Sequence, residues 1–253
     1  MNKLICLISA TEKESSAVLK TLRKIKDKSL ALPVYQGKIG KTNIIHIISG
    51  IGKTNAAHAA TLIIEKFSPA AVINFGIGGA YPSSGLRVGD IAIADREIYG
   101  DEGLLFRDGF HKADEIGIPL LRKGRKKYFN EFPLDKKLYK RAVNILRLMP
   151  DASNLTIKIG AFVSVSTVTG TDRRARELEK RFSASSASGG GAICENMEGA
   201  AVAHVCAMYE IPMLEIRGIS NIVEDRNRDK WDIKTAVENC QRAVIEFLKM
   251  SKR

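Results

Sequence analysis

No apolar run in this 253-residue chain approaches the ~20 residues that a membrane-spanning helix needs. The opening run, Leu4-Ile5-Cys6-Leu7-Ile8, is too short for the core of a secretory signal and gives way to Glu12, Lys13 and Glu14. It predicts a buried first strand, and the expectation is a cytoplasmic protein with no membrane partner. Cysteine is sparse: Cys6, Cys194, Cys206 and Cys240 stand far apart, with no C-x-x-C pair. That fits reduced core thiols better than a disulfide framework or a zinc site. The histidines, His46, His58, His111 and His204, have no metal-ligand spacing, so no metal is expected. The chain is basic, with a net charge of +12. No recognition-helix, RNP or zinc-finger pattern goes with that charge, which argues against a nucleic-acid partner.

Hydrophobic residues make up 45% and charged residues 27% of the chain, the balance of an ordinary globular protein. Much of the positive charge sits between Arg122 and Arg141. It reads first as a solvated surface, and second as an attraction for a small anionic ligand. Strand-length apolar runs (Leu4–Ser9, Ile44–Ser49, Ala71–Phe75, Asp90–Ala94, Ala161–Val165, Met213–Arg217) alternate with amphipathic stretches. The amphipathic stretches, Glu12–Ile25, Thr54–Phe67, Asp135–Leu148, Asp172–Arg181, Met197–Tyr209 and Lys234–Met250, predict helices. The alternation predicts one α/β domain over residues 1–253, built on a central mixed, largely parallel sheet flanked by helices. Gly100–Phe132 and Ser183–Ala192 read as mobile loops.

Two glycine motifs fail as nucleotide signatures. Gly50-Ile51-Gly52-Lys53-Thr54 lacks the first glycine of a phosphate loop, because Ile47 stands there. Gly76-Ile77-Gly78-Gly79 follows a strand, but Tyr81 occupies the third glycine position of a dinucleotide fingerprint. What remains is a glycine-rich strand exit that lets backbone N–H groups approach a ligand. Cys194–Ala203, read C-E-N-M-E-G-A-A-V-A, puts Glu198 in the first turn of a predicted helix with Asn196 as N-cap. Alone, Glu198 is an acidic residue at a helix start. Glu12 and Glu14 after the first strand are positioned to reach a site, and Glu14, Gly76–Gly79, Glu198 and Asn221 form a constellation at four strand exits, where α/β sheets bind ligands.

Six stretches in order resemble the purine nucleoside phosphorylase / nucleosidase superfamily. They are I-S-A-T-E-K-E (8–14), S-G-I-G-K-T-N-A-A (49–57), V-I-N-F-G-I-G-G-A (72–80), V-G-D-I-A-I-A-D (88–95), N-M-E-G-A-A-V-A-H-V-C (196–206) and R-G-I-S-N (217–221). The resemblance implies a cofactor-free enzyme and a homo-oligomer. It implies that Glu14 activates an attacking water and that Glu198 holds the ribose hydroxyls, with Met197 packed on the sugar. It places Ile77 and Gly78 beneath the sugar, Thr167 and Val168 beside the base, and Asn221 at the purine N7.

Two departures narrow that expectation. Bacterial phosphorylases of the hexameric type carry an arginine where this chain has Asn74, so water is expected to be the nucleophile rather than phosphate. Nucleosidases for adenine nucleosides carry an aspartate where this chain has Asn221. An amide NH2 donates to N7 and O6, both acceptors in hypoxanthine, which favours a 6-oxopurine. Within the superfamily these features look like the futalosine hydrolases. Their nucleoside substrate has an aromatic, carboxylate-ended tail. The Gly100–Phe132 loop offers Phe106, Phe110, Phe129, Arg107, Arg122 and Arg125 for that tail. Glu224 stands where a glycine is expected. A methylthioadenosine/adenosylhomocysteine-type nucleosidase would share Glu14, Met197 and Glu198 but conflicts with Asn221. A phosphorylase conflicts with Asn74, and a non-catalytic nucleoside-binding protein with the retention of both glutamates.

Overall fold

The first strand, β1 (Leu4–Ser9), is apolar on both faces because helices cover both sides of the sheet. Its side chains alternate: Cys6 and Ile8 pack into one core cluster, Leu7 into the other. The computed structural model describes residues 4–27, 29–149, 154–183 and 191–250. Within them β1 is followed by α1 (Glu12–Leu19), β2 (Leu22–Lys24), β3 (Val34–Ile39), β4 (Thr42–Ile48) and α2 (Lys53–Phe67). Then come β5 (Ala71–Ala80), β6 (Ile91–Tyr99), β7 (Gly103–Phe106), β8 (Gly109–Lys112), β9 (Leu121–Lys123), β10 (Lys126–Tyr128) and β11 (Glu131–Pro133). The chain continues through α3 (Lys136–Leu146), β12 (Ile157–Ser164), α4 (Asp172–Ser183), β13 (Ala192–Asn196), α5 (Gly199–Tyr209), β14 (Met213–Ile222) and α6 (Ile233–Met250).

The sheet is mixed, and all of it belongs to one α/β domain. Parallel pairings run through its centre: β1 lies between β4 and β5, β14 beside β5, and β12 between β6 and β13. Antiparallel pairings bring in β11, β3 and β2 at the edges. Two more, β13 with β5 and β14 with β6, close the β5–β14–β6–β12–β13 circuit on itself. Helices α2 and α5 cover one face; Ala56, Ala59, Ala60, Ile63 and Ile64 give α2 an apolar stripe at helical spacing. On the other face α3 and α6 bury Val143, Leu146, Val244 and Phe247. No helix of the described residues is long and apolar enough to cross a membrane. The four cysteines are free and buried.

Several expectations are corrected. The predicted helix to Ile25 stops at Leu19, because Thr21 N and Oγ1 both bond Val18 O, at 3.2 and 2.9 Å, and turn the chain. Leu22–Lys24 then pairs with β3 as an edge strand. Gly100–Phe132 is not one loop: β7–β8 and β9–β10 are hairpins, and β11 joins the main sheet. These strands are short and mostly solvent-facing, so they leave no alternation to read. Glu198 is itself the N-cap residue of α5, not part of its first turn, and Asn196 ends β13. Asn196 nevertheless supplies the capping oxygen: its Oδ1 accepts from Glu198 N at 3.0 Å and Gly199 N at 2.8 Å. The expected loop over Ser183–Ala192 falls largely on residues 184–190, outside the described residues.

Candidate active site

The ends of β1, β4, β5 and β14 open into a cavity of about 340 Å³ together with the start of α5. Glu14 reaches it from the first turn of α1. It closes a capping box with Thr11: Oε2 accepts from Thr11 N at 3.0 Å and from Thr11 Oγ1 at 2.9 Å. Its other oxygen accepts from Ile77 N at 3.0 Å, which ties the helix start to the exit of β5. Three donors and the helix N-terminus fix this carboxylate as an oriented anion. Gly76 makes the approach possible. A Cβ there would run into Glu14 Oε1 and lie 3.0 Å from Arg217 Nη1.

Glu198 is buried, and its side chain makes no capping hydrogen bond to its own helix. Oε1 accepts from Gly52 N at 3.0 Å, and Oε2 lies 3.4 Å from Arg217 Nη1. Gly52 starts α2 at φ +94°, a conformation that glycine adopts without strain. The failed phosphate-loop motif thus supplies a backbone donor to a carboxylate.

Arg217 is the residue that sequence reasoning passed over. Its side chain is wholly buried at the cavity floor. Nε bonds Glu215 Oε1 at 2.9 Å, Nη2 ion-pairs the same oxygen at 2.8 Å, and Nη1 donates to Ile77 O at 3.1 Å. Burial disfavours its charge, but Glu215, Glu198 and Glu14 surround it and raise its pKa above the ordinary arginine value. Asn74 does not line the cavity. It is buried below, where Nδ2 donates to Glu215 Oε1 at 3.1 Å.

At the other end stands Asn221. Its Oδ1 accepts from Ser220 Oγ at 2.8 Å, and Nδ2 donates to Ile222 O at 3.0 Å. One amide N–H is left for a ligand, not the two that the expected pairing with N7 and O6 would use. Val168 and Thr169 line the cavity beside it; Thr167 does not. Thr167 N instead bonds Asp101 Oδ2 at 3.3 Å. Thr169 is held by buried Glu195, which accepts from its N at 3.0 Å and its Oγ1 at 2.6 Å, with Tyr81 Oη at 3.1 Å. Burial raises the Glu195 carboxyl above the usual range, and these donors oppose the rise. Met197, Ile77 and Gly78 line the cavity.

Of the residues expected to meet a substrate tail, none of Phe106, Phe110, Phe129, Arg107, Arg122 and Arg125 lines the cavity. Lys13, Arg226, Trp231, Ile233 and Val237 line it instead, with the Arg226 guanidinium 4.8 Å from the Trp231 ring centre. Arg226 and Trp231 stood in the sequence just past R-G-I-S-N, but only folding shows them at the mouth. The segment after β6 comes near the rim through Asp101, which pairs with Lys53 and accepts from Ser166 N at 2.6 Å.

Known proteins share this architecture. Residues 4–252 match the model of the phosphorylase superfamily. Futalosine hydrolase of Thermus thermophilus is 30% identical over 224 residues, covering 88% of this chain and 89% of that protein. The 5′-methylthioadenosine/S-adenosylhomocysteine nucleosidase of Staphylococcus haemolyticus is 29% identical over 225 residues, 88% of each chain. The crystal structure of the nucleosidase of the same name from Neisseria meningitidis, in complex with methylthio-immucillin-A, superposes with a TM-score of 0.80 at 24% identity. It covers 98% of this chain and 99% of that one, and shows the shared fold. The chain therefore belongs to the phosphorylase superfamily and is an enzyme of the nucleosidase type.

Proposed function

We propose that the protein hydrolyses the N-glycosidic bond of a 6-oxopurine nucleoside, and that the nucleoside is futalosine. The products would be hypoxanthine and dehypoxanthine futalosine, a step of an alternative menaquinone pathway. The observation that carries this reading is the Asn221 amide. Ser220 Oγ donates to one lone pair of its oxygen at 2.8 Å and Ile222 O takes one of its N–H groups at 3.0 Å, and the remaining N–H is the donor proposed to meet the base. Hypoxanthine presents acceptors at N7 and O6, whereas the 6-amino group of adenine would need an acceptor. As the C1′–N9 bond stretches, the sugar becomes oxocarbenium-like and negative charge develops on the base. The Asn221 N–H stabilises that charge. Glu14 takes a proton from the attacking water on the opposite face. Glu198 holds the ribose hydroxyls, Met197 packs on the sugar, Ile77 and Gly78 lie beneath it, and Val168 with Thr169 borders the base. No cofactor enters this chemistry.

Water is favoured over phosphate by charge. Glu14, Glu198 and Glu215 gather around Arg217 at the cavity floor, and Arg217 is already paired with Glu215 and Glu198. A phosphate dianion there would meet net repulsion. Lys13, Arg226 and Trp231 at the rim suit an aromatic tail ending in a carboxylate. The chain is also proposed to work as a homo-oligomer. Leu105, Phe106 and Ile118 are exposed, and the segment carrying them starts beside the rim at Asp101. A monomeric mass in sedimentation at every concentration would contradict this. A second reading, a methylthioadenosine/adenosylhomocysteine nucleosidase, draws on the Staphylococcus haemolyticus relative.

The test is to incubate the protein with futalosine, inosine and methylthioadenosine, with and without phosphate, and to follow free base. Futalosine should be cleaved with the highest kcat/KM, without phosphate and without a sugar 1-phosphate. Preference for methylthioadenosine would transfer the assignment to the second reading, and strict phosphate dependence to a phosphorylase. Asn221→Asp should move the preference towards 6-amino nucleosides.

A further inference from the structure

Two carboxyls beneath the cavity, Glu97 on β6 and Glu215 on β14, take no part in the chemistry above, and both are fully buried. They face each other across Gly199. A Cβ there would run into Glu97 Oε1 and lie 2.5 Å from Glu215 Oε2. Glu215 Oε1 is saturated by Arg217 Nε at 2.9 Å and Asn74 Nδ2 at 3.1 Å. Glu215 Oε2 has no N–H donor among the described residues. Two carboxylates buried together against the Gly199 backbone would repel each other if both were charged, and an acceptor with no donor is costly. One proton between the two carboxyls resolves both problems.

The neighbours of the pair are informative. Glu97 Oε1 accepts from Asn196 Nδ2 at 2.8 Å and Oε2 from Ser164 Oγ at 2.8 Å. Asn196 Oδ1 in turn accepts the Glu198 backbone N–H at 3.0 Å. On the other side Glu215 holds Arg217, which lies 3.4 Å from the Glu198 carboxylate. The contacts form a closed ring: Glu198 backbone, Asn196, Glu97, Glu215, Arg217, Glu198 side chain. We propose that Glu97 and Glu215 share one proton and are the positioning residues that fix Glu198 at both its backbone and its carboxylate. The role given to Glu198 rests on the nucleosidase reading above.

The charged and titratable groups around the pair agree. Burial and the charge of Glu215 raise Glu97 well above the carboxylate range; Ser164 and Arg217 oppose the rise. Burial also raises Glu215, against Arg217 and Asn74. Cys194 on β13, Cys206 on α5 and Tyr99 on β6 complete the surroundings, and burial raises all three, keeping them neutral. Arg217 is the one cation in the ring, so a single anion of the pair balances it.

Infrared spectroscopy of the full chain in D2O at pH 7 reads the proton directly. Wild type should show the carbonyl band of a protonated carboxylic acid, absent in E97Q. E215Q is the conservative rescue: its amide supplies the donor, Glu97 ionises, and the band disappears while the ring survives. E215L breaks the ring. The grip on ribose is read by the kcat/KM ratio of inosine to 2′-deoxyinosine. E215Q should keep that ratio, and E215L should lower it roughly tenfold or more, as expected for losing one charge-assisted hydrogen bond. A wild type without the acid band overturns the inference, as does E215L with an unchanged ratio. If no nucleoside is cleaved, the nucleosidase reading falls. The band and a crystal structure of E215L, in which the Glu198 carboxylate should leave Gly52 N, then decide the inference alone. If E215L does not fold, the wild-type band and the E215Q ratio decide it.

Discussion

Glu14 has two jobs, and a single substitution separates them. It caps α1 through Thr11 and anchors Ile77 N at 3.0 Å, and it is proposed to accept the proton of water. In Glu14→Gln one of the two carboxylate oxygens becomes an NH2 facing a backbone donor. The helix start should lose about 1 kcal/mol, seen as a small fall in Tm. Turnover should fall far more, by roughly 10²–10⁴, while nucleoside binding persists. Near-normal kcat in the folded variant would remove Glu14 from the chemistry. Residues of this kind were legible because a carboxylate after a strand, or an amide after the last strand, is out of place unless something uses it. Glu97 and Glu215 carry a similar signal: each is a charge inside an apolar run, I-A-I-A-D-R-E-I-Y and M-L-E-I-R. Their pairing was not legible, because it depends on β14 lying antiparallel to β6, a contact between remote segments.

The exit of β5 shows what an element contributes. Its side chains vanish at Gly76, where Glu14 and Arg217 press against the backbone from α1 and β14. Gly76→Ala should therefore displace Glu14 or Arg217 without a change of backbone conformation, since Gly76 has no positive φ. The expected result is a folded protein with kcat lowered at least tenfold, on the order of the cost of misplacing a catalytic group. KM should change less than kcat, because the ribose and base contacts of Glu198 and Asn221 lie on other elements. Unchanged kcat would mean that the site absorbs the methyl group. The long elements were legible for a related reason: α2 and α6 pack a full apolar stripe against the sheet, and β1 is buried on both faces. The hairpins between Gly103 and Tyr128 bury little, so composition alone resembles loop. The α1 overrun arose because Leu19, Leu22 and Ile25 keep a helix-like spacing that Thr21 interrupts.

At the scale of the molecule, buried titratable groups set how stability follows pH. His46 on β4 is fully buried beside Phe75 and Tyr35, and it pairs with Ser9 Oγ at 3.0 Å. Burial lowers its pKa to about 3. In the unfolded chain it titrates near 6.5. Below that pH the unfolded chain takes up a proton that the folded protein refuses, so folding loses stability as pH falls from ~6.5 towards 3. The Glu97–Glu215 pair acts with the opposite sign. The folded protein keeps a proton that the unfolded carboxyls release near ~4.3, so stability falls as pH rises above that point. The two effects oppose each other between ~4.3 and ~6.5, and the wild-type profile should be shallow there. Removing one exposes the other. In His46→Gln an amide can still meet Ser9 but cannot take up a proton. Relative to wild type, this variant should be about 2 kcal/mol more stable at pH 5 than it is at pH 8, whatever its absolute stability. Urea unfolding of both proteins at the two pH values measures that double difference directly. A difference near zero would mean that His46 is protonated in the folded state, and that the β4 core admits a charge next to Phe75.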